Sequence, residues 1–150
     1  MQIIRDDVSY FPYSKKWSTK TQYMIPRENF NCTITGTSGV LVTCGAYVCM
    51  VFGVLLRENR RGILTHSEPL FLEENLSDIR KIIGQPSPYV DVVAIRSARN
   101  TQEELTKMRE GLQSLFPNSD IKEVVYKESI EWVGLDIDEE KLVIRERKTR

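Results

Sequence analysis

The chain contains one histidine, His66, and three cysteines, Cys32, Cys44 and Cys49. A thiol attacks as its thiolate, so a nucleophilic cysteine needs a base within hydrogen-bond reach and a third group to orient that base. With a single histidine, any cysteine–histidine pair runs through His66, at the end of the segment ILTHS just ahead of Glu68 and Pro69. A strand end that opens into a loop is where binding and catalytic side chains are often presented. The chemistry such a pair performs is that of a cysteine hydrolase: attack on a carbonyl, a covalent acyl intermediate, and hydrolysis.

Three thiols compete for the base. Cys32, between asparagine and threonine in an irregular region, is the weakest candidate. Cys44 and Cys49 bracket TCGAYVC (Thr43 to Cys49), in which Gly45 permits a sharp turn, so that a buried strand begins at or just after Tyr47. A cysteine at the start of that strand lies beside main-chain N–H groups freed by the turn, groups of the kind that form an oxyanion hole. Packing competes with chemistry as an explanation. A lone histidine beside a buried strand is usually a satisfied structural residue, and a free cysteine ahead of MVFGVLL equally suits a small apolar core position.

The elements that must position these residues read as one α/β domain over residues 1–150, with 1–39 an irregular N-terminal extension of the same core. From Val40 onward GVLVTC, AYVCMVFGVLL and ILTHS form a run of buried strands, with Arg57 to Gly62 as a polar turn. Leu76, Ile79 and Ile83 predict a short helix over Glu74 to Ile83, stopped by Gly84 with Pro86 beyond it. Tyr89 to Ile95 reads as a central strand. Asn100 and Glu103 have capping-box spacing ahead of a helix whose stripe is Leu105, Met108, Leu112 and Leu115. IKEVVYK returns as a strand, and WVGLDID with KLVIRER predicts a hairpin turning near Asp138 to Glu140. This order predicts a layered sandwich of mixed β-sheets covered by two helices.

Twenty-one basic residues balance twenty-one acidic ones, so no overall field would draw in nucleic acid or an anionic membrane. The basic run Arg145, Arg147, Lys148 and Arg150 reads as a solvated strand end. An odd number of cysteines with no Cys-x-x-Cys spacing fits neither a disulfide scaffold nor a tetrahedral zinc site, and points to a reducing, cytoplasmic compartment. In that setting the sequons at Asn31 and Asn75 carry no meaning. The start of the chain lacks signal-peptide features, and the apolar stretch Ala46 to Leu56 is too short to span a bilayer as a helix.

The stretch from Val40 to Pro69 resembles the core of the chemoreceptor glutamine deamidases (the CheD family), related in fold to the cytotoxic necrotising factor deamidase toxins. Thr43, Gly45, Cys49, Gly62 and His66 stand in the family's relative places, and the separation between Cys49 and His66 matches as well. The likeness continues more faintly through the helix from Thr101 and the closing hairpin VGLDIDEEKLVIRER. The family's Gly-Ser before the nucleophile is Tyr47-Val48 here, and its second glycine before the histidine is Ile63. The resemblance selects Cys49 over Cys44 as nucleophile, makes His66 the base and Thr43 its orienting group, and assigns the oxyanion to backbone N–H groups of Val48 and Cys49. It implies an α-β-β-α layering, deamidation of a protein glutamine, a protein substrate bearing that reactive glutamine, and no metal or organic cofactor. The loss of the Gly-Ser pair implies the alternative of a catalytically inactive binding or adaptor module in signalling.

Overall fold

The structure, a computed structural model, describes residues 1–7, 10, 17, 19–26, 30–85 and 89–147. Among the described residues, ten strands form two five-stranded mixed sheets. The first sheet contains β1 (Gln2–Arg5), β2 (Gln22–Met24), β4 (Val40–Ala46), β9 (Ser129–Asp136) and β10 (Lys141–Arg147), in the order β1-β10-β9-β4-β2. The second contains β3 (Cys32–Gly36), β5 (Met50–Leu56), β6 (Arg61–Ser67), β7 (Val90–Ser97) and β8 (Ile121–Tyr126), in the order β3-β6-β5-β7-β8. Helix α1 (Leu72–Ile83) joins β6 to β7, and α2 (Gln102–Leu115) joins β7 to β8. The short strands of the N-terminal region thus enter both sheets. Pro86, Lys148 and Arg150 lie outside the described residues.

β5 and β6 are buried along almost their whole length, because each face of their sheet has a partner layer. Leu41, Val51, Leu64, Val93, Val133 and Leu142 fill the layer between the sheets. Met50, Phe52, Val54, Ile63 and Val92 face the helices and meet Leu76, Ile79, Leu105, Met108 and Leu112. The predicted α2 stripe is therefore the helix's buried face. Gly62 is required by the inter-sheet spacing, since a Cβ there would come within 2.6 Å of Ile137 Cγ1.

Two expectations are corrected. Both α1 and α2 pack on the same outer face of the second sheet, so among the described residues the layers run helices, sheet, sheet rather than with a helix on each outside. The connections β6-α1-β7 and β7-α2-β8 step in the same direction across that sheet, and the common hand of such crossovers puts their helices on one face. The outer face of the first sheet is covered instead by Tyr10 and Trp17, packed on Val40, Val42, Trp132 and Val143. The second correction shifts the cap of α2 by one residue. Thr101 is the N-cap, its hydroxyl accepting from the Glu104 N–H while the Glu104 carboxylate accepts from the Thr101 N–H.

Candidate functional site

β4 carries Thr43 to the layer between the sheets, and β6 carries His66 there from the other side. Thr43 Oγ1 and His66 Nδ1 are 2.8 Å apart, both side chains buried, in a hydrogen bond that links the sheets. Gly45, at φ +75°, breaks the two-residue alternation of β4: Thr43 and Ala46 both turn inward, where a regular strand would have sent one of them out. The chain then turns through exposed Tyr47 and Val48, and Cys49 enters the inter-sheet layer directly ahead of β5.

Strand register fixes the relation of the two key residues. Val51 is the cross-strand partner of His66, and both face the inter-sheet layer with Cys49 two residues upstream of Val51. Cys49 is therefore a diagonal neighbour of His66 on one face of adjacent strands, a relation that puts Cα atoms about 7 Å apart. Cys32, which sequence reasoning made the weakest of the three thiols, is the direct cross-strand partner of His66 from β3. Antiparallel pairing, invisible in the irregular sequence around it, brings it there. Cys44 turns the other way, against the outer cluster of the first sheet.

The protonation states follow from burial. It pulls the His66 imidazole down to about 4, and it pushes the Cys49 thiol up to about 11, with the Glu68 carboxylate adding to the rise. The main-chain N–H groups of Tyr47 and Val48 beside it pull the thiol back in part. At neutral pH the resting pair is thiol and neutral imidazole, so transfer of the thiol proton must accompany attack rather than precede it. His66 Nε2 is buried without a hydrogen-bond partner. If Thr43 accepts from Nδ1–H, that nitrogen carries the free lone pair of a base.

Several supporting residues carried no sequence signal for the site, Asn100 reading only as a helix cap. Asn100 Nδ2 donates to the Val48 carbonyl at 3.0 Å, and Tyr126 Oη donates to the Cys49 carbonyl at 2.6 Å. Asn31 binds the Glu68 carboxylate through Nδ2 and the Glu68 N–H through Oδ1, while buried Asn75 donates to Asn31 Oδ1, Ser67 Oγ and the Phe71 carbonyl. This network pins the end of β6 beside His66. Phe30 packs its ring 5.5 Å from the imidazole and forms one wall of a cleft of about 430 Å³, together with Gly45, Ala46, Tyr47, Ile130 and Arg147. The Arg99 guanidinium covers the Tyr47 ring at 4.4 Å. Among the described residues, no group of three His, Cys, Asp or Glu side chains could hold a metal ion, and no helix is long and apolar enough to cross a membrane.

No family model and no curated protein matches the chain. The functional reading therefore rests on the geometry above and on the motif residues themselves.

Proposed function

We propose that the protein is a cysteine-dependent amidase whose substrate is a glutamine side chain on another protein, acting in the cytoplasm on the pattern of the chemoreceptor deamidases. The observation that carries this reading is the buried Thr43–His66 hydrogen bond, which occupies Nδ1 and leaves Nε2 unpartnered in the layer that also receives Cys49. Cys49 Sγ attacks the carboxamide carbon as His66 Nε2 takes the thiol proton, and the oxyanion forms against backbone N–H groups of Val48 and Cys49. Collapse of the tetrahedral intermediate breaks the C–N bond, and the imidazolium protonates the leaving ammonia. Water, deprotonated by His66, hydrolyses the thioester to glutamate and restores the thiol. Cys49 is preferred to Cys32 because it is the thiol selected by the resemblance to the deamidases, and because it directly follows the exposed turn whose N–H groups are assigned to the oxyanion.

Ammonia release from a panel of glutamine-containing proteins and peptides tests the proposal. Cys49→Ala and His66→Ala are each expected to remove nearly all activity, with the double variant little worse than either, because the two groups act in one proton relay. Thr43→Val should cost less, about tenfold to a hundredfold, as the loss of an orienting contact. Cys32→Ala and Cys44→Ala should remain active. Activity that survives Cys49→Ala but vanishes with Cys32→Ala would make Cys32 the nucleophile.

A second reading draws on a different observation. The Tyr47-Val48 pair stands exposed at the turn, beside a thiol that burial holds protonated, and these features suit a catalytically inactive binding or adaptor module in signalling. A folded wild-type protein that releases no ammonia from the whole panel would favour this module.

A further inference from the structure

We infer that Asn100 and Tyr126 are positioning residues that set the peptide planes on both sides of Cys49, an inference that rests on Cys49 as the nucleophile. The carbonyls they hold, those of Val48 and Cys49, are consecutive and flank the Cys49 Cα. In a planar trans peptide, the N–H of a residue points opposite to the preceding carbonyl. Binding the Val48 carbonyl therefore fixes the direction of the Cys49 N–H, one of the two groups assigned to the oxyanion. Binding the Cys49 carbonyl fixes the other side of the same Cα.

The two donors come from elements far from the turn in sequence. Asn100 stands between β7 and α2, and Tyr126 ends β8. Both are buried, and Asn100 is itself held, its Oδ1 accepting the Ser97 N–H at 2.8 Å. Ser97 is also the cross-strand partner of Tyr126, so the two supports meet at the end of β7. The turn they hold is otherwise open, with Tyr47 60% and Val48 40% exposed. A short exposed turn has little packing of its own to keep a particular peptide orientation, so the side chains that grip its carbonyls determine it.

Two substitutions isolate the contacts. Tyr126→Phe deletes only the hydroxyl. Asn100→Asp keeps the acceptor that binds the Ser97 N–H and removes the donor to Val48, together with its longer contact to Glu104 Oε1 at 3.4 Å. In the full chain carrying Cys32→Ala and Cys44→Ala, each variant is expected to raise the rate of Cys49 alkylation by iodoacetamide at pH 8 by about tenfold, the effect of losing one buried hydrogen bond. Ammonia release should move the opposite way, with kcat down about tenfold to a hundredfold and KM little changed. A thermal melt establishes that both variants are folded at the assay temperature. Unchanged alkylation in both variants overturns the inference, as does an unchanged kcat in an active background. Faster alkylation in the variants of a protein that releases no ammonia at all sustains the hold on the turn, and removes the hydrolase reading instead.

Discussion

His66 is neutral where it lies, and this has a consequence for stability that needs no substrate. Burial lowers its pKa from an ordinary 6.5 to about 4, so between those values the unfolded chain binds a proton that the folded protein refuses. Stability contributed by the neutral imidazole is complete above pH 6.5 and is lost as pH falls toward 4, amounting to about 2 kcal/mol at pH 5. The lowered carboxylates Asp91, Glu123 and Asp136 lose their contribution only as pH falls below their ordinary values of 3.8, 4.5 and 3.8, so little of it is lost at pH 5. Urea unfolding at pH 7 and pH 5 should therefore show this loss in the wild type and little of it in His66→Gln. An equal loss in both proteins would mean that the histidine is not buried neutral.

The strands meet the site through small residues at fixed points. Gly62 lies in β6 four residues before His66, where the two sheets approach so closely that Ile137 and Leu135 occupy the space a Cβ would need. Its place in the motif thus has a packing cause, independent of any chemistry. Gly62→Ala is expected to destabilise the protein by about 1–3 kcal/mol through overpacking, measured as a lower urea midpoint at unchanged slope. It should also reduce ammonia release, because pushing β6 away from the first sheet lengthens the Thr43–His66 contact. Full stability in this variant would contradict the inter-sheet spacing on which the site depends.

The first sheet is fastened at the far end of its central strand by a buried carboxylate. Asp136, at the end of β9, accepts from Trp17 Nε1 at 2.9 Å, from Lys20 Nζ at 2.8 Å and from the Glu139 N–H at 3.1 Å. Burial alone would push this carboxyl up, but Lys20 and the Glu139 N–H hold it below the usual range. The same indole packs against Gly134, where a Cβ would fall 2.5 Å from its ring, so the N-terminal cover, the hairpin and the first sheet are fastened at one point. Asp136→Ala strands a buried indole N–H and leaves the Lys20 ammonium to Glu139, and should cost about 1–3 kcal/mol by chemical denaturation. A loss below about 1 kcal/mol would mean that the cover contributes little to the fold.

The sequence alone determined the elements whose signals are local. The stripe from Leu105 to Leu115, the stop at Gly84, the hairpin after Asp136 and the run of buried strands from Val40 are legible because periodicity, turn residues and caps act over a few positions. The candidate site was legible as a motif: Thr43, Gly45, Cys49 and His66 could be named, and Gly45 does adopt the left-handed backbone expected of it. Tertiary structure decided what depends on partners distant in the chain. Thr43 reaches His66 only because two sheets face each other, and Cys32 lies beside that histidine only through the β3–β6 register. Asn100 looked like a helix cap and instead binds the turn before Cys49, 52 positions away, while Tyr126 binds it from 77. No window of neighbouring residues encodes such contacts, because a hydrogen bond across a core is chosen by the packing of whole layers, and the side chain that makes it has no periodic signature of its own.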